Sequence, residues 1–136
     1  MAAFNKFNAT ALDFLTGKHN LLTDTIRFML TNVLPVATNA AKADITEIAA
    51  GGGYVAGGPQ ITVSSVTQAA GVAKAVFADT TITATGAVAT ARYVVPYNAT
   101  SGRLLGWYDY GVSFTMQAGE SFVTDFDDAN GALQAS

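Results

Sequence analysis

The sequence predicts a mainly β protein, an antiparallel β-sandwich or jelly-roll-like barrel with a short N-terminal helix. Three observations carry that expectation. Beyond residue 25 the chain breaks into short runs rich in Val, Ile, Thr and aromatic residues. Gly, Asp, Asn and Pro bound these runs at intervals of about 8–12 residues, the spacing of an all-β domain. Apolar residues at helical spacing occur near the start, in a segment too short to supply crossovers for a parallel sheet. The 136 residues suit one domain covering 1–136, since a chain of this size buries roughly two thirds of its unfolded surface.

The helical arm is expected over about residues 8–17. Asn8 stands at the capping position, Phe7 and Leu12 occupy the two places of a hydrophobic staple, and Gly17 provides a stop. Ala11, Leu12 and Leu15 share one face, and Lys18 and His19 follow where positive charge favours the negative helix end. At about ten residues such a helix is marginal alone in water and needs a surface to lie on, its own sheet or a neighbouring subunit.

From Thr25 the period changes to two. Ile26, Phe28 and Leu30 alternate with Arg27, Met29 and Thr31, which predicts a half-buried strand ended by Asn32 and Pro35. The Ala-rich residues 36–44 fit neither period, and 45–50 read as loop with a short strand. Further strands are expected over 60–67, 72–78, 80–85, 91–97, 103–110, 112–116 and 120–127. In these, Ile61, Val63, Val72, Val76, Tyr93 and Val95 define one set of faces, with Phe77 on the reverse face of its strand and Phe122 and Phe126 inward.

The glycine-rich stretch at 51–58 formally contains a dinucleotide fingerprint, with Gly51, Gly53 and Ala56 at the fingerprint spacing and Asp79 as a distant acid. That chemistry needs a helix after the turn, whose first backbone N–H groups face the pyrophosphate. Gly57, Gly58 and Pro59 follow at once and would interrupt such a helix in its first turn. The stretch therefore reads as a loop between strands, with Tyr54 and Val55 as the anchor that pins it to the core or to a partner.

Other chemistry is sparse. No cysteine is present, and His19 is the one histidine, with no Gly-x-Ser-x-Gly elbow to display a nucleophile. Asp125 and Asp127 alternate onto one strand face and could reach a hard cation, yet Ala129 and Asn130 stand where a calcium loop needs a ligand and a glycine. Residues 128–131 read instead as a tight turn into a last strand near Leu133. Carboxylate-pair hydrolysis by two of Asp109, Glu120, Asp125 and Asp127, with Asp125 and Asp127 as the pair to test, stays formally open, because sequence alone places no two of them at the required separation. The expectation is a non-enzyme without cofactor or metal.

The aromatic run at 105–111 places Leu105 and Trp107 on one face by alternation, and Tyr108 and Tyr110 on the other. Both faces are therefore covered, by the protein's own core or by a second subunit, and stacking of a saccharide on Trp107 is a weaker reading. Charged residues make up 12% of the chain, about half the usual share, against 50% hydrophobic. A surface so poor in ions desolvates at small cost and suits lasting assembly. The net charge of −3 and the scatter of the seven Lys and Arg argue against a nucleic-acid partner. No run approaches the roughly 18 apolar residues of a membrane span, and the start lacks a signal-peptide pattern, so no membrane partner is expected and the chain is expected to be soluble and not secreted by itself.

The ordered segments Phe4-Asn5-Lys6-Phe7, His19-Asn20-Leu21, residues 25–32, Ile45-Thr46-Glu47-Ile48, Gly53-Tyr54, Gly57-Gly58, Arg92-Tyr93-Val94-Val95, residues 105–111 and Gly119-Glu120-Ser121-Phe122 together resemble small structural proteins of tailed bacteriophages. The resemblance spans nearly the whole chain. It implies a mostly β capsid cement or decoration protein, made in the host cytoplasm and carried on the outer capsid surface. The major capsid protein and further copies of itself, as a homotrimer, would be its partners. The candidate contact residues are Leu12, Leu15, Tyr54, Val55, Trp107, Tyr108 and Tyr110. The alternative is a tail or fibre-associated protein that binds a host-surface glycan through Trp107, Tyr108 and Tyr110.

Overall fold

The computed structural model describes residues 4–126 and 131–135. Eleven strands and one α-helix follow one another along them: β1 (Phe4–Lys6), α1 (Ala9–Leu15), β2 (Ile26–Thr31), β3 (Gln60–Ile61), β4 (Val63–Ala69), β5 (Val72–Phe77), β6 (Thr80–Thr83), β7 (Val88–Asn98), β8 (Arg103–Leu104), β9 (Gly106–Met116), β10 (Ser121–Thr124) and β11 (Leu133–Ala135). All pairings are antiparallel. One sheet runs β1-β9-β7-β2-β3, with β8 also on β7, while β11-β5-β4 and β10-β6 form two smaller sheets.

The layers follow from which side chains meet. Ile26, Phe28 and Leu30 of β2, Ala91 and Val94 of β7 and Tyr108 of β9 pack against Ala75 and Phe77 of β5, Ile82 of β6, Leu133 of β11 and Phe126. The large sheet thus forms one layer and the two small sheets the other, a sandwich-like β architecture with its main core between them. On the reverse face of the large sheet, Met29, Val95, Tyr97 and Leu104 form a second cluster, closed by Phe7, Ile45 and Trp107. The mainly β class and the short helix near the N-terminus agree with the sequence reading.

Several local expectations need correction. The strand β2 is buried on both faces rather than half-buried: it lies between β7 and β3, and Met29 and Thr31 are as enclosed as Phe28. In β5 the inward residues are Ala75 and Phe77, and Val72 is exposed, so the expected faces are reversed. Residues 106–116 form one strand across Gly111, whose φ of 85° is tolerated within the strand because the residue has no Cβ. Thr62 interrupts the strand expected over 60–67. Residues 45–50 form no strand, and β1 was not anticipated.

Leu105 lies between β8 and β9, outside both, and joins Tyr108 in the main core while Trp107 faces the second cluster. Alternation therefore fails between 105 and 107, although Tyr108 and Tyr110 do share a face. The turn expected at 128–131 and the carboxylate of Asp127 fall largely outside the described residues; the strand near Leu133 is β11.

No helix follows the glycines of 51–58. The chain turns back at Gly51–Tyr54, with Gly52 and Gly53 at positive φ, and passes through Gly57 and Gly58 into β3. Gly58 lies so close to β2 that a Cβ there would overlap the Phe28 carbonyl oxygen, and its φ of 73° disfavours any L side chain. The Gly58 carbonyl in turn accepts from the Arg27 guanidinium at 2.9 Å, and the Phe28 N–H donates to the Pro59 carbonyl. Gly58→Ala is expected to lower unfolding free energy by more than about 3 kcal/mol, through both the clash and the backbone strain. Gly119→Ala, also at positive φ but facing open space, should cost only about 1–2 kcal/mol. Urea titration of the two variants measures the difference.

Candidate functional site

The helix α1 is oriented opposite to its apolar pattern. Thr10 and Asp13 are buried, Phe14 is half-buried, and Leu12 and Leu15 stand 60% and 87% exposed. Polar bonds fix this orientation. The Asp13 carboxylate accepts from the Arg103 guanidinium at 2.9 Å, and the Thr10 hydroxyl donates to the Leu105 carbonyl at 2.9 Å, so both inward polar groups have partners. The Asn8 N–H donates to the Ala37 carbonyl, while its side chain makes no cap bond. No staple forms, because Phe7 lies under Trp107 with ring centroids 4.8 Å apart and Leu12 faces away.

Beside the helix runs an apolar cleft of roughly 260 Å³ lined by Phe7, Ala11, Phe14, Leu15 and Leu133, with Lys6 at its rim. A second hollow shares Phe14 and Leu133 and extends to Leu21, Val66 and Ala75. The exposed face of α1 and this cleft are mainly apolar, with Lys6 the charged residue of the cleft lining and the helix's single acid paired inside.

A polar knot anchors the segment after the helix. His19 is buried against the Phe14 ring. Its Nδ1 lies 3.2 Å from Asn98 Nδ2, which also reaches the Asp24 carboxylate at 2.7 Å and the Lys18 carbonyl at 3.3 Å. The amide's two hydrogens are thus shared among three acceptors, with the carboxylate taking the shortest bond. Bonds from Asn98 and the Asn20 N–H hold Asp24 below the usual carboxylate range. Burial lowers the pKa of His19 and Arg103 adds to this, against the opposing pull of Asp13 and Asp24.

The expected contact residues divide sharply. Leu12, Leu15 and Val55 are exposed, whereas Tyr54 and Tyr108 are core residues, which corrects their assignment as surface contacts. Tyr54 pins the glycine loop inward: its hydroxyl donates to Glu47 Oε1 at 2.6 Å and accepts the Leu30 N–H at 3.0 Å. The same Glu47 oxygen accepts the Gly57 N–H, and the Tyr97 hydroxyl donates to the Gly57 carbonyl. Burial, first, and the Glu47 bond raise the Tyr54 hydroxyl pKa far above its ordinary value. Of the two anchors named from sequence, Tyr54 holds the core and Val55 points out.

Trp107, Tyr108 and Tyr110 do not make one stacking surface. Trp107 is half-buried on the second cluster, Tyr108 lies between Phe4 and Phe126, and Tyr110 is half-buried with Phe114 and Phe122. The carboxylates are dispersed. Asp109 forms a bidentate pair with Arg92, Glu120 accepts the Gln117 N–H, and Asp125 is exposed. Among the described residues no three His, Asp or Glu side chains converge as a metal-ligand set, and no helix is long and apolar enough to cross a membrane. Comparison with protein families, curated proteins and solved structures finds no match.

Sequence reasoning missed the inward residues Thr10, Asp13 and His19. The available signal was the spacing of Thr10 and Asp13, three apart on one helix face, but their partners Leu105 and Arg103 are distant in sequence.

Two outcomes test this geometry. Asp13→Ala should destabilise the fold by about 1–3 kcal/mol, less than for a fully enclosed pair because Arg103 retains water contact. For His19 the folded pKa lies below the unfolded 6.5, so its contribution is complete above pH 6.5 and is lost as pH falls through the folded pKa. Denaturant titrations across that window should show a downward slope with acidification that is reduced in His19→Gln.

Proposed function

We propose that the chain is a non-enzymatic phage structural protein of the cement or decoration type, bound to the outer shell between capsomers and strengthening it against internal pressure. The single observation that carries this reading is the inverted helix, with Leu12 and Leu15 held toward solvent beside an apolar cleft. Burying either leucine against a partner is worth roughly 1.5–3 kcal/mol. The Asp13–Arg103 bond fixes the helix before contact, so less conformational freedom is lost on binding. The major capsid protein is the proposed partner.

The low charge of the chain supports the same reading, because few ions must be dehydrated when the surface closes. Repetition over a shell multiplies a modest contact, in the manner of any multivalent attachment. Val55, exposed at the tip of a loop whose base is bonded to the core, is a second contact candidate. The resemblance in the ordered sequence segments points to the virion, and the outward apolar helix points to the attaching face.

The test is addition of purified protein to capsids that lack it, followed by cryo-electron microscopy. The expected density lies on the outer surface at capsomer junctions, with α1 against the shell. Leu12→Ser/Leu15→Ser should reduce bound copies at least about tenfold while changing stability by less than about 1 kcal/mol, since both side chains are exposed in the free protein. Density confined to the tail, or undiminished occupancy by the double variant, contradicts the assignment.

A further inference from the structure

We propose that β4 is a self-pairing edge through which two copies of this chain join antiparallel, centred on Thr67 of each. The strand has seven residues and pairs with β5 alone, which makes it the longest strand with a single partner strand among the described residues. Open edges are ordinarily blunted by charge, proline or brevity. The edges β1, β3 and β11 have only two or three residues each, and β1 also carries Lys6. No residue of β4 is charged and none is proline. Two-fold pairing sets a strand against itself, so any charge near the centre would meet its own copy; this neutrality is what makes a second copy the fitting occupant.

The hairpin geometry fixes which groups are available. Ala69 and Val72 close a two-residue turn in which Ala70 and Gly71 have φ of 51° and 81°, so the Ala69 carbonyl accepts the Val72 N–H. Alternation from that bond directs the backbone groups of Ala69, Thr67 and Ser65 toward β5. The N–H and C=O of Val66 and Gln68 therefore point to the free side.

One register uses all of these groups. Val66 of each copy faces Gln68 of the other, giving four backbone hydrogen bonds, and the two Thr67 residues meet as a non-hydrogen-bonded pair with Cα atoms about 4.5 Å apart. Threonine pairs are favourable at such positions. A register centred on Val66 would bring in the irregularity between Val63 and Ser65, and one centred on Gln68 would run into the turn at Ala70. The result is a two-fold dimer, not the three-fold assembly implied by the family resemblance, and it does not depend on attachment to a shell. The contact is small and falls in the transient class.

The chain has no cysteine, so single introduced thiols report the contact directly. Under mild oxidation Thr67→Cys should form a disulfide-linked dimer at least about tenfold faster than the exposed loop control Ala118→Cys, because pairing raises the local thiol concentration and meets disulfide geometry. Ser65→Cys and Ala69→Cys should each be slow alone and fast when mixed, since each faces the other's position. Thr67→Glu meets Lys74 within its own hairpin but sets two carboxylates together between copies, and should abolish the rise of mass with concentration in sedimentation. If Thr67→Cys links no faster than Ala118→Cys, or Ser65→Cys alone matches it, the proposed pairing is wrong. Should Thr67→Glu lose its β circular dichroism, the cysteine series decides.

Discussion

The burial of β2 on both faces is the constraint from which the other elements take their places. A strand with Phe28 and Leu30 on one side and Met29 on the other cannot lie at a water-facing layer. The small sheets cover the first side, and Phe7, Ile45 and Trp107 cover the second. The long connection between β2 and β3 follows from the same need. It delivers Ile45 to the second cluster and returns Tyr54 to bond the Leu30 N–H. The glycines allow that return because the chain must pass within backbone contact of β2.

The helix orientation is a second-order result of the same packing. Once Phe7 is committed to Trp107 and Thr10 to the Leu105 carbonyl, the helix has little freedom to roll its leucines inward. A buried ion pair is seldom a strong source of net stability, but removing one partner is costly, so it enforces geometry. Here the enforced geometry leaves Leu12 and Leu15 in water.

Much of the fold was legible because alternation and β-branched runs are local signals. The strand at 26–31, the absence of a helix after the glycines and the anchoring part of Tyr54 all followed from near neighbours in sequence. The failures have a common cause, contact with distant residues. Gly111 looks like a boundary until β7 is seen paired with β9 on either side of it, Tyr93 with Asp109 and Ala91 with Phe114. Val72 and Val76 look more apolar than Ala75, but the core at that point accepts Ala75 beside the large Phe77 ring. The inward face of α1 was illegible because Arg103, which holds Asp13, is 90 residues away.

The pairing of β1 with β9 gives the protein a particular order of biogenesis. Asn5 and Trp107 are register partners although 102 residues separate them. The strand β1 must therefore wait until β9, about a hundred residues further along the chain, has been synthesised before it finds its neighbour. Such distant closures slow folding and prolong the lifetime of unpaired nascent segments. The sheet is completed by joining its earliest strand to one of its latest, so an arrested or shortened chain that stops before Gly106 has no seat for its own beginning.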